Sequence, residues 1–275
     1  QSEREPFFAM QRLEFDSILF SQAKKARVHV VEGTSVREIE WNGRWIVNIG
    51  GRLVEARFLV GADGRNSIVA RRFGRSVGRN GQGLRRVGLQ WMSPYQPALD
   101  SAVGLFLFER GYCGMVNIDD HHANVAMVTT PELAQRSAAD FPWFLEKTLL
   151  SNSSARPRLG PLTPETNISF AFPIEPISRH SIHARAFLVG DARQTLEPFT
   201  GEGIYSAIFD GVQRAQWLLQ VNPAERLSWP DRARVNLLYS FVLKRPALAD
   251  HCVRIGARLP STVHYAMKSI FRQPS

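Results

Sequence analysis

Twice in this 275-residue chain an apolar run stops on glycine and aspartate. RFLV at 57–60 runs into Gly61-Ala62-Asp63-Gly64, and AFLV at 186–189 runs into Gly190-Asp191. Short apolar runs bounded by glycine read as buried strands of an α/β sheet. An aspartate at the carboxyl end of such a strand lies on the side where α/β sheets bind ligands. Gly61 and Gly64 remove Cβ where backbone must approach closely or take a positive φ. Asn66 or Ser67 can cap a following helix, whose N-terminal amides favour a phosphate. Alone, Asp63-Gly64 would be an ordinary turn and Ser67 an ordinary cap. The second motif is longer: AFLVGDARQTLEPFTGEGIYSAIFDG, 186–211. Asp191 can accept hydrogen bonds from sugar or polyol hydroxyls. Gly201 and Gly203 let backbone pass against a flat ring, and a helix starting near Gly203 supplies free amides and a positive dipole end.

The remaining chain supports an α/β reading with an antiparallel layer inserted. QRLEFDSILFSQAKKA, 11–26, sets Leu13, Ile18 and Leu19 on one helical face, with Phe15 and Ala23 beside them. Val28–Glu32 is a β-rich run. Ser35–Trp41 and Arg44–Ile49 flank Asn42-Gly43, a hairpin signal of the type I′ kind. From residue 86 the runs RRVGLQWM, SAVGLFLFE, YCGMVNI and ANVAMVTT, broken by Pro, Gly or Asp-Asp-His-His, predict an antiparallel sheet. Asp140–Leu150 reads as a helix, Asn167–Phe172 as a strand, and Gly203–Leu219 as a helix, with two more helical segments at about 230–250 and 254–271. The expected domains are 1–85 and 181–225, sharing one α/β domain, then 86–180, a substrate-binding sheet, and 226–275, a helical C-terminal segment.

Charge narrows the partners. The formal net charge is +9. All but five of the 34 basic residues are arginine, and they are scattered rather than interleaved with aromatics. That arrangement excludes a nucleic-acid groove and leaves attraction to an anionic cofactor or lipid surface. Two cysteines, Cys113 and Cys252, are too few for a disulfide framework or a four-ligand zinc site, and a reducing, cytosolic setting is the default. Adjacent His121 and His122 on a strand face opposite ways, which disfavours a shared metal.

VGADGRNSIV and LVGDARQTLEPFTGEGIYSAI resemble the second and third flavin fingerprints of the p-hydroxybenzoate-hydroxylase-like FAD-dependent oxidoreductases. Their order, their separation of roughly 130 residues and the intervening sheet are similar to that superfamily's, over about residues 7–220. The resemblance implies a Rossmann-like FAD-binding domain. Asp63 and Gly64 would lie near the ribose and pyrophosphate, and Gly190 and Asp191 by the ribityl chain. Pro198 and the segment Thr200, Gly201, Glu202, Gly203 and Ile204 would line the isoalloxazine. Arg12 matches the arginine of the family's R-x-x-F/L-D-x-x-L helix and would lie by the cofactor, or be a surface arginine. Arg193 departs from the pattern, since a small residue usually follows Gly-Asp-Ala; it would contact a phosphate or point to solvent.

The family's first fingerprint, a strand followed by G-x-G-x-x-G, has no counterpart here; Gly78-Arg-Asn-Gly81-Gln-Gly83 follows a helix and has the wrong order. The expectation is therefore a fragment whose parallel sheet lacks a central strand. Such a chain would be poorly stable alone and bind FAD weakly, because unpaired buried backbone groups cost about 1–3 kcal/mol each. A non-catalytic remnant or binding module is the alternative to an enzyme, and an in-frame upstream G-x-G-x-x-G would separate the two.

The resemblance leaves three reactions open: hydroxylation with NAD(P)H and oxygen, reduction of an isoprenoid-type double bond, and halogenation. EPFTGEGI looks closer to geranylgeranyl-reductase-like enzymes, yet ERGYCGMVNI keeps only Tyr112 of the reductases' Y-x-W-x-F-P. None of the six tryptophans falls in the halogenases' W-x-W-x-I-P frame. A hydrophobic small molecule is the expected substrate. Gln90, Met92, Phe106, Phe108, Tyr112 and Met115 are the pocket candidates, with Tyr112 a candidate proton donor or a packed side chain. In 244–275, Lys244, Arg245, Arg254, Arg258, Lys268 and Arg272 oppose one acid, Asp250. That basic, apolar stretch reads as a peripheral membrane face or as a cap with a solvated basic side.

Overall fold

The computed structural model describes residues 10–76, 85–100 and 102–219. In chain order the elements are α1 (Arg12–Lys25), β1 (Val36–Trp41), β2 (Trp45–Ile49), β3 (Arg52–Ala56), β4 (Leu59–Gly61), α2 (Ile68–Phe73), β5 (Gly74–Ser76) and β6 (Arg86–Pro94). Next come β7 (Val103–Phe108), β8 (Gly111–Asn117), β9 (His122–Thr129), α3 (Pro131–Ala139), α4 (Phe141–Lys147) and β10 (Ser169–Ile174). β11 (Ile177–Ser181), β12 (Ala186–Leu188), β13 (Gln194–Thr195) and α5 (Gly203–Leu219) complete the set. The fold is mixed α/β, in two compact units. One holds the residues up to Arg85 and again from Ile174; the other begins at Arg86 and runs to Pro173.

In the first unit the two apolar motif runs are neighbours. β4 and β12 pair in parallel, Leu59 opposite Ala186 and Gly61 opposite Leu188. The ladder extends at both ends, Leu59 N–H donating to Arg185 O at 3.0 Å and Val189 N–H to Gly61 O at 3.0 Å. Gly61 is required by packing: a Cβ there would lie 2.7 Å from Val69 Cβ and 3.0 Å from Leu188 Cδ2. β1, β2 and β3 form an antiparallel meander. Its Trp45 is fully buried with Ile39, Val47, Val69, Ala70, Ala186 and Leu188. The Trp45 indole N–H donates to Arg185 O at 2.9 Å, tying the meander to the start of β12. β11 is flanked by β13 and β5.

The second unit contains the antiparallel sheet, in the order β10-β6-β9-β8-β7. Alternation fills one face with Leu89, Trp91, Phe106, Phe108, Cys113, Met115, Val125 and Met127, packed with Phe144, Leu145 and Leu149. Asp140 caps α4, accepting from Trp143 N–H at 2.9 Å.

Several local expectations change. Val28–Glu32 is not a strand, and Val28 and Val31 are exposed; among the described residues it has no ladder partner, and β-propensity without one does not make a strand. The first hairpin exists, but Trp41 pairs Trp45, so its loop is Asn42-Gly43-Arg44 and only Gly43 takes a positive φ. The third loop residue removes the type I′ requirement at Asn42. α1 forms with no buried residue, and Leu13 is 82% exposed. Strand β11, within the stretch 86–180 assigned to the sheet domain, belongs to the first unit through its pairing with β5 and β13. Helix α3 is an addition to the elements expected from periodicity. The segments 78–83 and 226–275, including the basic C-terminal stretch and Cys252, lie outside the described residues. Among the described residues no helix is long and apolar enough to cross a membrane.

Two outcomes test this packing. Trp45→Phe should destabilise by about 0.5–1.5 kcal/mol in urea unfolding, because the Arg185 carbonyl loses one of its two donors and keeps Leu59 N–H; Trp45→Ala should cost about 3–5 kcal/mol. In the β8–β9 turn, His122 Nδ1 lies 2.9 Å from Asp119 Oδ1, with Glu165 Oε2 at 3.9 Å from Nε2. This bond raises His122 above its usual 6.5 and lowers Asp119 to about 2. The pair therefore favours the fold below pH 6.5 and loses that contribution as pH rises through the raised His122 value; at the acid end it is lost as pH falls through about 2. The NMR titration midpoint of His122 should exceed 6.5 and drop in Asp119→Asn; equal midpoints in the two proteins would contradict this.

Candidate functional site

Pairing β4 with β12 brings both Gly-Asp turns to one end of the parallel ladder. After β4 the chain turns at Gly64, φ +73°. Asp63 Oδ2 then accepts Ile68 N–H at 2.7 Å and Ser67 Oγ accepts Ala70 N–H at 2.9 Å. Ser67 is thus the N-cap, and Asp63 supports it. Two of the N-terminal amides expected to face a phosphate are filled by side chains, and α2 has only six residues. The cofactor role expected of Asp63 has to coexist with this cap.

After β12, Gly190 takes φ +56° beneath Ala207 of α5, where a Cβ would meet Ala207 Cβ at 3.0 Å. Asp210 of α5 holds the turn: its Oδ2 accepts Gly190 N–H at 2.9 Å and Arg193 Nε–H at 2.7 Å. The Arg193 side chain is 25% exposed and paired with Asp210, at 15%. Gly190, Arg193, Gln194, Leu196, Ser206 and Asp210 line a small cavity beneath the turn.

Asp191 itself is exposed, yet neighbouring protein strips enough water to raise its pKa; the charges of Arg65 and then Arg12 oppose that rise. Arg12, paired with Asp16 one helical turn on at 2.7 Å, is thus close enough to act on the second motif. Arg65, inside the first motif but given no role there, and Arg179, outside both motifs, join the site. Arg179 of β11 donates from Nη1 to Arg65 O at 3.0 Å and to Ala192 O at 3.4 Å. Arg65 Nη2 donates to Glu175 O at 3.1 Å. No local pattern singles them out, because their partners are backbone carbonyls far along the chain.

Pro198–Thr200 forms a 3-10 turn, Gly201 is left-handed at φ +68°, and Glu202 lies buried before α5, its carbonyl accepting Ser206 N–H at 2.8 Å. Ile204 is 46% exposed on the first turn. A Cβ on Gly64, Gly201 or Gly203 would meet no protein atom within 4 Å. Gly64 and Gly201 are explained by φ; Gly203 is not. The bare backbone at the start of α5 is open to a group from outside the chain, and the exposed Asp191 carboxylate suits hydroxyl donors such as those of a sugar chain.

Residues 9–225 match the family described as the FAD binding domain. The chain belongs to this family. It also falls within the p-hydroxybenzoate-hydroxylase-like superfamily that its two motifs resemble. A curated relative, the uncharacterized protein Mbar_A1602 of Methanosarcina barkeri, is 27% identical over 217 residues, 75% of this chain and 51% of that protein. The chain thus spans about half the length of that relative. Among solved structures, the flavin-dependent halogenase CmlS is similar at TM-score 0.65 and 20% identity, covering 86% of this chain and 44% of its own. PqsL of Pseudomonas aeruginosa, in complex with 2-aminobenzoylacetate, is similar at TM-score 0.66 and 18% identity, covering 87% and 71%. The flavin-dependent brominase Bmp2 is similar at TM-score 0.65 and 14% identity, covering 96% and 76%. At these identities the likeness establishes the fold.

In the sheet unit the pocket candidates fall on two faces. Phe106, Phe108 and Met115 belong to the packed core and are unavailable to a ligand. Gln90, Met92 and Tyr112 alternate onto the opposite face, where Gln90 Nε2 donates to Asn124 Oδ1 at 2.7 Å. Tyr112 is 4% exposed, opposite Val128. Burial pushes the Cys113 thiol well up, so it is a packed side chain and not a nucleophile. Among the described residues no group of His, Cys, Asp and Glu could hold a metal.

Removing the Asp210 carboxylate leaves Arg193 and the Gly190 amide without this acceptor. Asp210→Ala should cost about 1–3 kcal/mol in chemical denaturation, and an unchanged midpoint would show that the turn is held by other means.

Proposed function

We propose that this chain is part of an FAD-dependent oxidoreductase of the monooxygenase type, acting on a hydrophobic small molecule. The observation that carries the reading is the Gly190-Asp191 turn beside Gly64 and the open backbone at Gly201 and Gly203, within a chain of the FAD binding domain family. Asp191 would accept hydroxyls of the ribityl chain. The amides at the start of α5 would face the ring, and Asp63-Gly64 the ribose and pyrophosphate. Bound FAD supplies two-electron redox chemistry; the chain's own residues bind it and orient it.

In hydroxylation, NAD(P)H supplies two electrons and oxygen is split between the hydroxylated product and water. NAD(P)H is proposed on the superfamily resemblance. Reductase-type chemistry stands second, favoured by EPFTGEGI but not by the residues around Tyr112. Halogenation stands third, because the W-x-W-x-I-P frame is missing from the sequence. A cytoplasmic setting completes the proposal; for the basic stretch 244–275 a cap with a solvated basic side is favoured over peripheral membrane contact, and vesicle flotation separates the two.

Asp191→Ala should weaken FAD binding at least tenfold, a loss of about 1.4 kcal/mol or more, read by flavin fluorescence quenching. The measurement is made in the full-length protein, where equal FAD occupancy with and without the substitution would overturn the assignment of Asp191.

A further inference from the structure

The two motif loops are separated by more than a hundred residues of chain, yet one side chain bonds to both. Arg179 Nη1 donates to Arg65 O, in the first loop, and to Ala192 O, in the second. Arg179 is itself held in β11, its N–H donating to Arg193 O at 2.7 Å and its position pairing with Ser76. Arg65 is pinned in turn, since Nη2 donates to Glu175 O. A guanidinium tied to a backbone carbonyl has little freedom to swing away. Its charge acts on the Asp191 carboxylate, and Arg179 bridges the two loops that carry them.

We infer that Arg65 is a positioning residue for FAD: strapped by Arg179 and Glu175, it holds Asp191 as the charged acceptor of the flavin's sugar chain. This rests on the FAD reading of the site. A carboxylate accepts two hydroxyls fully only when ionised. Partial desolvation works against that charge, and a bound cofactor excludes further water. The charged groups acting on Asp191 are Arg65 and Arg12. Those acting on Arg65 are Glu175, Asp191 and Arg179. Arg12 is 68% exposed and bonded to Asp16, so its contribution is screened; Arg65 is half-buried, its guanidinium held by Glu175 O and its backbone carbonyl by Arg179. Loss of Arg65 should not abolish the site. It should change the pH at which the site works.

The test is FAD affinity by fluorescence quenching between pH 4 and 9 for the full-length protein that contains this chain, unsubstituted and as Arg65→Met, Arg65→Gln, Arg65→Lys and Arg179→Met, with circular dichroism of each. In the unsubstituted chain affinity should fall as pH drops through the Asp191 titration. Without the charge, in Arg65→Met and Arg65→Gln, the midpoint of that fall should rise by about one pH unit. At pH 8 their affinity should stay within about threefold of the unsubstituted chain, since Asp191 is ionised in all of them. Arg65→Lys should restore the midpoint, and Arg179→Met should weaken binding at every pH, because it loosens both loops. A purely structural role for Arg65 predicts weakening that does not depend on pH. An unmoved midpoint in both Arg65→Met and Arg65→Gln, with FAD still bound, overturns this inference alone. No FAD quenching by the unsubstituted full-length protein at any pH overturns the FAD reading and this inference with it. Arg65→Gln keeps a donor for Glu175 O, so the charge is tested even where Arg65→Met does not fold.

Discussion

The first unit depends on a short parallel ladder that pairs Leu59 with Ala186, Val60 with Phe187 and Gly61 with Leu188. A parallel pair cannot be closed by a tight turn, so the chain between the strands must leave and return. Here it leaves through the whole antiparallel sheet unit and comes back at Ile174. Because both strands run the same way, both carboxyl ends emerge together, and each ends in glycine and aspartate. The site is a consequence of that register. A slip of one residue would move every side chain to the other face and break the Gly61 contact with Val69 and Leu188.

Holding two loops at one end is a separate problem from bringing them there. Backbone carbonyls with guanidinium donors solve it: Arg179 to Arg65 and Ala192, Arg65 to Glu175. Asp210 does the same for the Gly190 amide and Arg193. These are charge-assisted bonds in partly buried surroundings, stronger than neutral ones and directional. They leave Asp191 at the surface with positive charge near it. Much of the chain's +9 charge is scattered arginine, and some of that arginine acts here as loop scaffolding rather than as ligand contact.

The first motif shows how one residue serves two demands. Asp63 sits where a ligand-facing carboxylate is expected, and its Oδ2 caps Ile68 of a six-residue helix. With Ser67 on Ala70, the short helix has its first amides satisfied without any ligand. The open backbone lies instead at Gly201, just before a seventeen-residue helix, and at Gly203, its first residue.

The elements that sequence periodicity made legible are those whose signal is local. The strands of the sheet unit, α5 from Gly203 to Leu219 and the hairpin at Asn42-Gly43 all emerge close to where alternation, caps and turn residues put them. Val28–Glu32 shows the limit, because a strand needs a partner and β-propensity cannot provide one. The split of the pocket candidates shows another: Phe106, Phe108 and Met115 look like Tyr112 and Gln90 in sequence, and only the register decides which face is core. Arg193, ambiguous between phosphate and solvent, pairs with Asp210 seventeen residues on. Arg179 lies in neither motif and Arg65, though inside the first, shows no partner there, since a bond to a distant carbonyl depends on the fold and not on neighbouring residues. By itself, then, the order of residues determined the family, the two Gly-Asp turns and the glycines that need freedom, because backbone conformation and close approach are local constraints. Tertiary structure decided which arginines stand around Asp191 and which faces stay open, because those depend on long-range pairing that no stretch of sequence contains.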